Sequence, residues 1–137
     1  MQETMKPYPS DGLFGLYRTL SAFPIACFSL TLLSDLAYLQ TSNLLFLHFS
    51  EWLLLAGLVF GVLAGLAAMI SLIAARVRPT VLHAILGLVV LLLAVLNSFI
   101  HTADGWTAVM PYGLIVSAIT VVTMIATGLI SGWRERL

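Results

Sequence analysis

The sequence predicts an all-α integral membrane protein, a four-helix bundle running up-down-up-down with both termini cytoplasmic. Three observations carry that expectation. Between Arg18 and Asp35, Glu51 and Arg76, Arg78 and Asp104, and Asp104 and Arg134, no residue has a formal charge apart from histidinium at His83 and His101. A bilayer core needs ~20 apolar residues for each helical crossing. Over its 137 residues the chain is 9% charged and 61% hydrophobic, with a mean hydropathy of +1.06, whereas soluble domains are about 25% charged. Finally, the 6 Lys and Arg residues all fall at one of the two ends that such spans present.

Taken in order, residues 1–19 are expected to be a cytoplasmic tail and interfacial lead-in, polar over 1–12 with Pro7, Pro9 and Gly12. The tail ends in Leu13, Phe14, Leu16, Tyr17 and Leu20, which read equally as an interfacial amphipathic lead-in or as the start of the first helix. The membrane domain covers 20–133, with spans expected near 20–40, 51–75, 80–101 and 110–132 and a cytoplasmic end at 134–137. Lys6 and Arg18 precede the first span, Arg76 and Arg78 join the second to the third, and Arg134 and Arg136 follow the fourth. The loops expected at 41–50 and 102–109 carry no Lys or Arg. Lys and Arg concentrate on the cytoplasmic side of membrane proteins, which sets the orientation; in a bacterium this would be the inner membrane, with the other two loops facing the periplasm or the exterior. Tyr38, Trp52, Trp106 and Tyr112 then lie at the outer interface, and Tyr17 and Trp133 at the inner one.

Packing signals follow. Gly57, Gly61 and Gly65 recur every four residues in the second span, flanked by Ala56, Ala64 and Ala68. Strips of small residues let helices approach closely in lipid, so this face is a helix contact, within the bundle in preference to another subunit. Gly128 and Gly132 mark a similar face on the fourth span, where Thr120, Thr123 and Thr127 can bond back to their own helix carbonyls. Pro79 and Pro111 suit first helical turns. Pro24 should kink or start the first helix.

Few residues can carry chemistry. Asp35 is an acid inside a span, where a carboxylate is costly unless something polar faces it. Asn97 and His101, four apart, share a face of the third helix and reach roughly its depth, as does Ser117 on the fourth. The sequence therefore predicts a polar cluster of Asp35, Asn97, His101 and Ser117 toward the outer side, approached by His48, Glu51 and Asp104 from the loops. Its plainest role is to lock helices together. A proton or cation site, a quinone or haem contact, and a metal site are the alternatives, although these residues share no spacing of the metal-ligating His-Glu-x-x-His kind.

His83 and His101 are eighteen residues and ~27 Å apart along one helix, too far to clamp one haem. His83 is left as an inner-side candidate ligand, for haem shared with a partner or for water and head groups. The lone Cys27 excludes an intrachain disulfide and a thiolate metal cluster. A net charge of zero removes nucleic acid as a partner, because phosphate binding needs a basic face. Spans and short connections leave no room for a separate catalytic domain of the usual ~100 residues, so the expectation is a non-enzyme.

The segment Phe23-Pro24-Ile25-Ala26, with Asp35-Leu36-Ala37 further on, resembles the opening helix of the bacterial membrane-protein family called domain of unknown function 2231 (DUF2231). The stretch from His83-Ala84 through Asn97 to Gly113-Leu114-Ile115-Val116-Ser117 and Thr127-Gly128 is similar to the rest of it. The resemblance covers the chain from about residue 20. It implies a four-helix bundle with Asp35 and His83 at characteristic positions. Where the family usually has a histidine before Phe-Pro-Ile, this chain has Ala22, which weakens a histidine-based cofactor role. Some relatives are joined to Rieske-type iron–sulfur domains, which implies a setting in membrane electron transfer, though this chain has no Rieske ligands.

Two functions follow as expectations. The first is a non-catalytic membrane subunit without a cofactor of its own, which anchors, assembles or stabilises a larger complex of other subunits, a respiratory or photosynthetic redox complex being the implied setting. The second is a small proton or cation carrier using Asp35, although inverted repeats and discontinuous helices, which often mark carriers, are lacking. Direct binding of haem or quinone is a third possibility.

Overall fold

The computed structural model describes residues 9–75, 81–102 and 109–134. These form four helices, α1 (Pro9–Thr41), α2 (Leu44–Ala75), α3 (Val81–Thr102) and α4 (Tyr112–Arg134). Each contains a stretch long and apolar enough to cross a membrane: Gly15–Thr41, Leu44–Ile73, Leu82–Thr102 and Tyr112–Ile130. Successive helices pack on one another and α4 returns against α1, closing a ring. The outer surface is apolar, with large side chains such as Leu45, Ile73 and Phe99 well exposed, as expected where lipid replaces water as solvent.

Two boundaries differ from expectation. Helix α1 runs unbroken for 33 residues through Pro24, so the lead-in around Leu16 and Tyr17 is simply its first turns. Residues 1–8 of the expected tail lie outside the described residues. The larger correction concerns α2, which begins at Leu44 and not near 51. The expected 41–50 loop shrinks to a tight turn. Ser42 adopts φ 52°, and its N–H donates to the Tyr38 carbonyl at 2.8 Å, a left-handed closure of a helix C-terminus. Asn43 Oδ1 then accepts the Leu45 N–H at 3.0 Å, capping α2 so that the apolar run from Leu44 can be helical at once. His48, Ser50 and Glu51 consequently stand on α2. Arg76, Arg78, Pro79, Asp104 and Trp106 lie outside the described residues. Pro111 immediately precedes α4, and its carbonyl accepts the Ile115 N–H at 3.1 Å.

The glycine strip acts inside the bundle, but only over part of its length. A Cβ on Gly57 would collide with the Phe28 ring, and one on Gly61 would come within 2.6 Å of Leu91 Cδ2. Those two positions let α2 sit close to α1 and α3. At Gly65 nothing lies within 4 Å, so the contact expected there is absent. Midway along the bundle Phe28, Leu54, Val90 and Ala94 form a buried apolar layer, with Leu58 and Met124 against it. The hydroxyls of Thr120, Thr123 and Thr127 donate to carbonyls four residues back at 2.7–2.8 Å, the back-bonding expected of them.

Candidate functional site: a buried polar clasp and an inner-half cavity

All four helices contribute a polar side chain to one buried cluster. Asp35 of α1, Ser50 of α2, Asn97 and His101 of α3 and Ser117 of α4 are each at most 3% exposed. Asp35 Oδ1 accepts from Ser50 Oγ at 2.7 Å and faces His101 Nε2 at 2.9 Å. Its Oδ2 accepts from Ser117 Oγ at 2.5 Å. Ser117 Oγ in turn accepts from Asn97 Nδ2 at 2.7 Å. His101 Nδ1 lies 2.9 Å from the Asn97 carbonyl oxygen.

These contacts fix the donors. A backbone carbonyl can only accept, so Nδ1 carries a proton. One further proton then lies between Nε2 and Asp35 Oδ1, held by imidazolium facing carboxylate or by carboxylic acid facing imidazole. Either way the pair is neutral as a unit, which makes the carboxyl group tolerable in an apolar slab. Ser117 spends its proton on Asp35, so Asn97 must present its NH₂ to Ser117, and its Oδ1 is left buried without a partner among the described residues. An unsatisfied buried acceptor costs about 1–3 kcal/mol.

Asp35, Asn97, His101 and Ser117 were each identifiable in the sequence, and the structure brings these four together. Two participants were not. Ser50 was assigned to a loop, and only the early start of α2 puts it opposite Asp35. Gly113 borders the cluster because a Cβ there would stand 3.0 Å from His101 Cε1. Its place two residues after Pro111, within reach of α3, was the available signal. Of the residues expected to approach from a loop, Glu51 stands on α2 near enough for its charge to act on His101, with His48 one turn before it. They pair with each other at 3.3 Å, with the His48 side chain 55% exposed. Asp104 lies outside the described residues. With both ring nitrogens of His101 engaged inside the protein, the chain offers no haem ligand there, and among the described residues no three His, Cys, Asp or Glu side chains are grouped to hold a metal ion.

His83 lies elsewhere. It lines an open cavity of about 520 Å³ to which all four helices contribute on the other side of the apolar layer. Phe28 and Val90 close the deep end, and the walls include Gly65, Gly87 and Gly128.

Fold and cluster together define a class: a four-helix membrane bundle clasped by a buried Asp–His pair. More particularly, the chain belongs to the family described as predicted membrane protein (DUF2231), whose model matches residues 19–134. No curated protein and no solved structure matches the chain.

Proposed function

We propose that this protein is a non-catalytic integral membrane subunit whose rigid bundle anchors or stabilises a larger membrane assembly, in the bacterial inner membrane with its Arg-bearing ends cytoplasmic. The setting implied by the family resemblance is a redox assembly. The observation that carries the reading is the closure of the clasp. Its one ionisable pair, Asp35 and His101, is neutral as a unit and sealed by Ser50 and Ser117. The layer of Phe28, Leu54, Val90 and Ala94 separates it from the inner cavity. A general acid or base must reach a substrate proton within hydrogen-bond distance, and a carrier residue must face a pathway. Asp35 faces other protein groups at 0% exposure.

The test is purification from native membranes in mild detergent. Stoichiometric co-migration with other integral membrane proteins is the expected result, and a lone monomer would overturn the reading. Proton or cation flux in proteoliposomes that disappears in Asp35→Asn would instead favour a carrier.

A further inference from the structure

The open cavity beyond the apolar layer lies at the depth of a single leaflet. The clasp residues mark a common level, from which heights follow at about 1.5 Å per helical residue. Phe28 on α1 is seven residues from Asp35, and Leu72 on α2 is twenty-two from Ser50, so the cavity runs from about 10 to about 33 Å below the clasp. A hydrocarbon core is ~30 Å thick, and the span of α3, Leu82–Thr102, has the clasp at one end. The cavity therefore extends from near the bilayer midplane to the inner surface. Phe28 and Val90 close it toward the midplane, Met69 and Leu72 stand innermost, and Gly65, Gly87 and Gly128 in its walls have nothing within 4 Å of where a Cβ would stand. Ile25, Met69 and Leu88 are each more than half exposed, so it opens sideways to lipid.

Shape decides what kind of body fills it. A helix ~10 Å across would need roughly 1,700 Å³ over a height of ~22 Å, and the cavity holds about 520 Å³. One fatty acyl chain is thin and flexible enough to enter. It asks no hydrogen bond of the apolar walls, and it supplies the dispersion contacts that an empty groove forfeits.

Charge decides the head group. Arg18, Ser21, Ile25 and Phe28 follow at spacings of three, four and three, so they share one face of α1. The last three line the cavity. Arg18 continues that face one turn further inward, about 25 Å below the clasp, and is exposed. Neither ion pair among the described residues involves it. An arginine at this depth extends its guanidinium to the interface and can grip a phosphate through two parallel N–H donors. By sequence the other cations, Lys6, Arg76, Arg78, Arg134 and Arg136, belong to the same end, and basic sites between helices on the cytoplasmic side select anionic lipids.

We infer that the cavity holds one anionic phospholipid of the inner leaflet, with an acyl chain lying in the groove as far as Phe28 and the phosphate against Arg18. The site is independent of the subunit role: co-migration with partners neither requires a held lipid nor follows from one.

The test is native mass spectrometry of the full-length protein, stripped of endogenous lipid in detergent, with phosphatidylglycerol and phosphatidylcholine carrying the same palmitoyl and oleoyl chains as probes. One phosphatidylglycerol per chain should bind about tenfold more tightly than phosphatidylcholine, whose choline cancels the phosphate charge. Arg18→Gln should bring the two lipids to equal affinity. Gly65→Leu combined with Gly87→Leu fills the groove and should weaken both by about tenfold or more. Equal binding of the two lipids to the unmodified protein, a preference that survives Arg18→Gln, or unchanged binding by the leucine variant would each overturn the proposal. Should the leucine variant fail to fold, phosphatidylglycerol with a diazirine at the end of one acyl chain must label the unmodified protein within 24–28, 61–65, 87–91 or 124–128. Labelling spread over the whole lipid-facing surface would sink the proposal, as would labelling that vanishes when the native assembly is kept intact, which would assign the groove to a partner's helix.

Discussion

The clasp half and the cavity half of this bundle use the same small vocabulary of residues in opposite ways. In the half around the clasp polar side chains from four helices converge, and Gly57 and Gly113 stand where a Cβ would meet Phe28 or His101. In the half around the cavity polar groups are few, and Gly65, Gly87 and Gly128 stand where nothing lies within 4 Å of a Cβ. Interhelical hydrogen bonds in membranes contribute about 0.6 kcal/mol each on average, so the clasp gains its specificity from connecting all four helices at once. A void, by contrast, contributes nothing to the fold by itself. The comparison teaches that a glycine in a membrane helix must be judged by what faces it, since Gly61 and Gly65 are one turn apart and differ completely in surroundings.

The sharpest way to break the contrast is to remove one partner of the buried pair. His101→Ala should destabilise the bundle by about 3 kcal/mol, since deleting one member of a buried pair leaves the other uncompensated; reversible unfolding in mixed micelles measures this, and a change below about 1 kcal/mol would place the pair outside the load-carrying contacts. Next in size is Gly57→Leu, which drives a side chain into Phe28 and should lower stability by about 2 kcal/mol through overpacking. Ser50→Ala should cost about 1 kcal/mol, the worth of one hydrogen bond, and comparing it with Ser29→Ala, whose hydroxyl only returns to the Ile25 carbonyl, isolates the clasp contribution. The smallest effect belongs to the inner half. Gly65→Ala should fall within about 0.5 kcal/mol, or stabilise by the greater helix propensity of alanine, and a loss as large as that of Gly57→Leu would erase the distinction.

Much of the architecture was legible because hydrocarbon solvent demands it. Uncharged runs could only be spans, and four of them in a short chain made a bundle. Asp35, Asn97, His101 and Ser117 could be grouped because an acid in a span needs partners and helical rise fixes depth. The start of α2 was not legible. The apolar content of Leu44 to Phe49 did not separate loop from helix, and what decided it was a local event, the left-handed Ser42 followed by the Asn43 cap. That error hid Ser50, the contribution of α2 to the clasp.

By itself, then, the sequence determined the solvent, the number of crossings, the shared depth of Asp35, Asn97, His101 and Ser117, and the family. These depend on composition and on position along a helix, which a linear chain carries directly. Only the tertiary structure decided which glycines touch a neighbour, that Gly113 faces the His101 ring, and that an open cavity lies beyond the apolar layer. Those properties belong to the space between helices, and that space exists only once the rotation and spacing of all four have been set by packing.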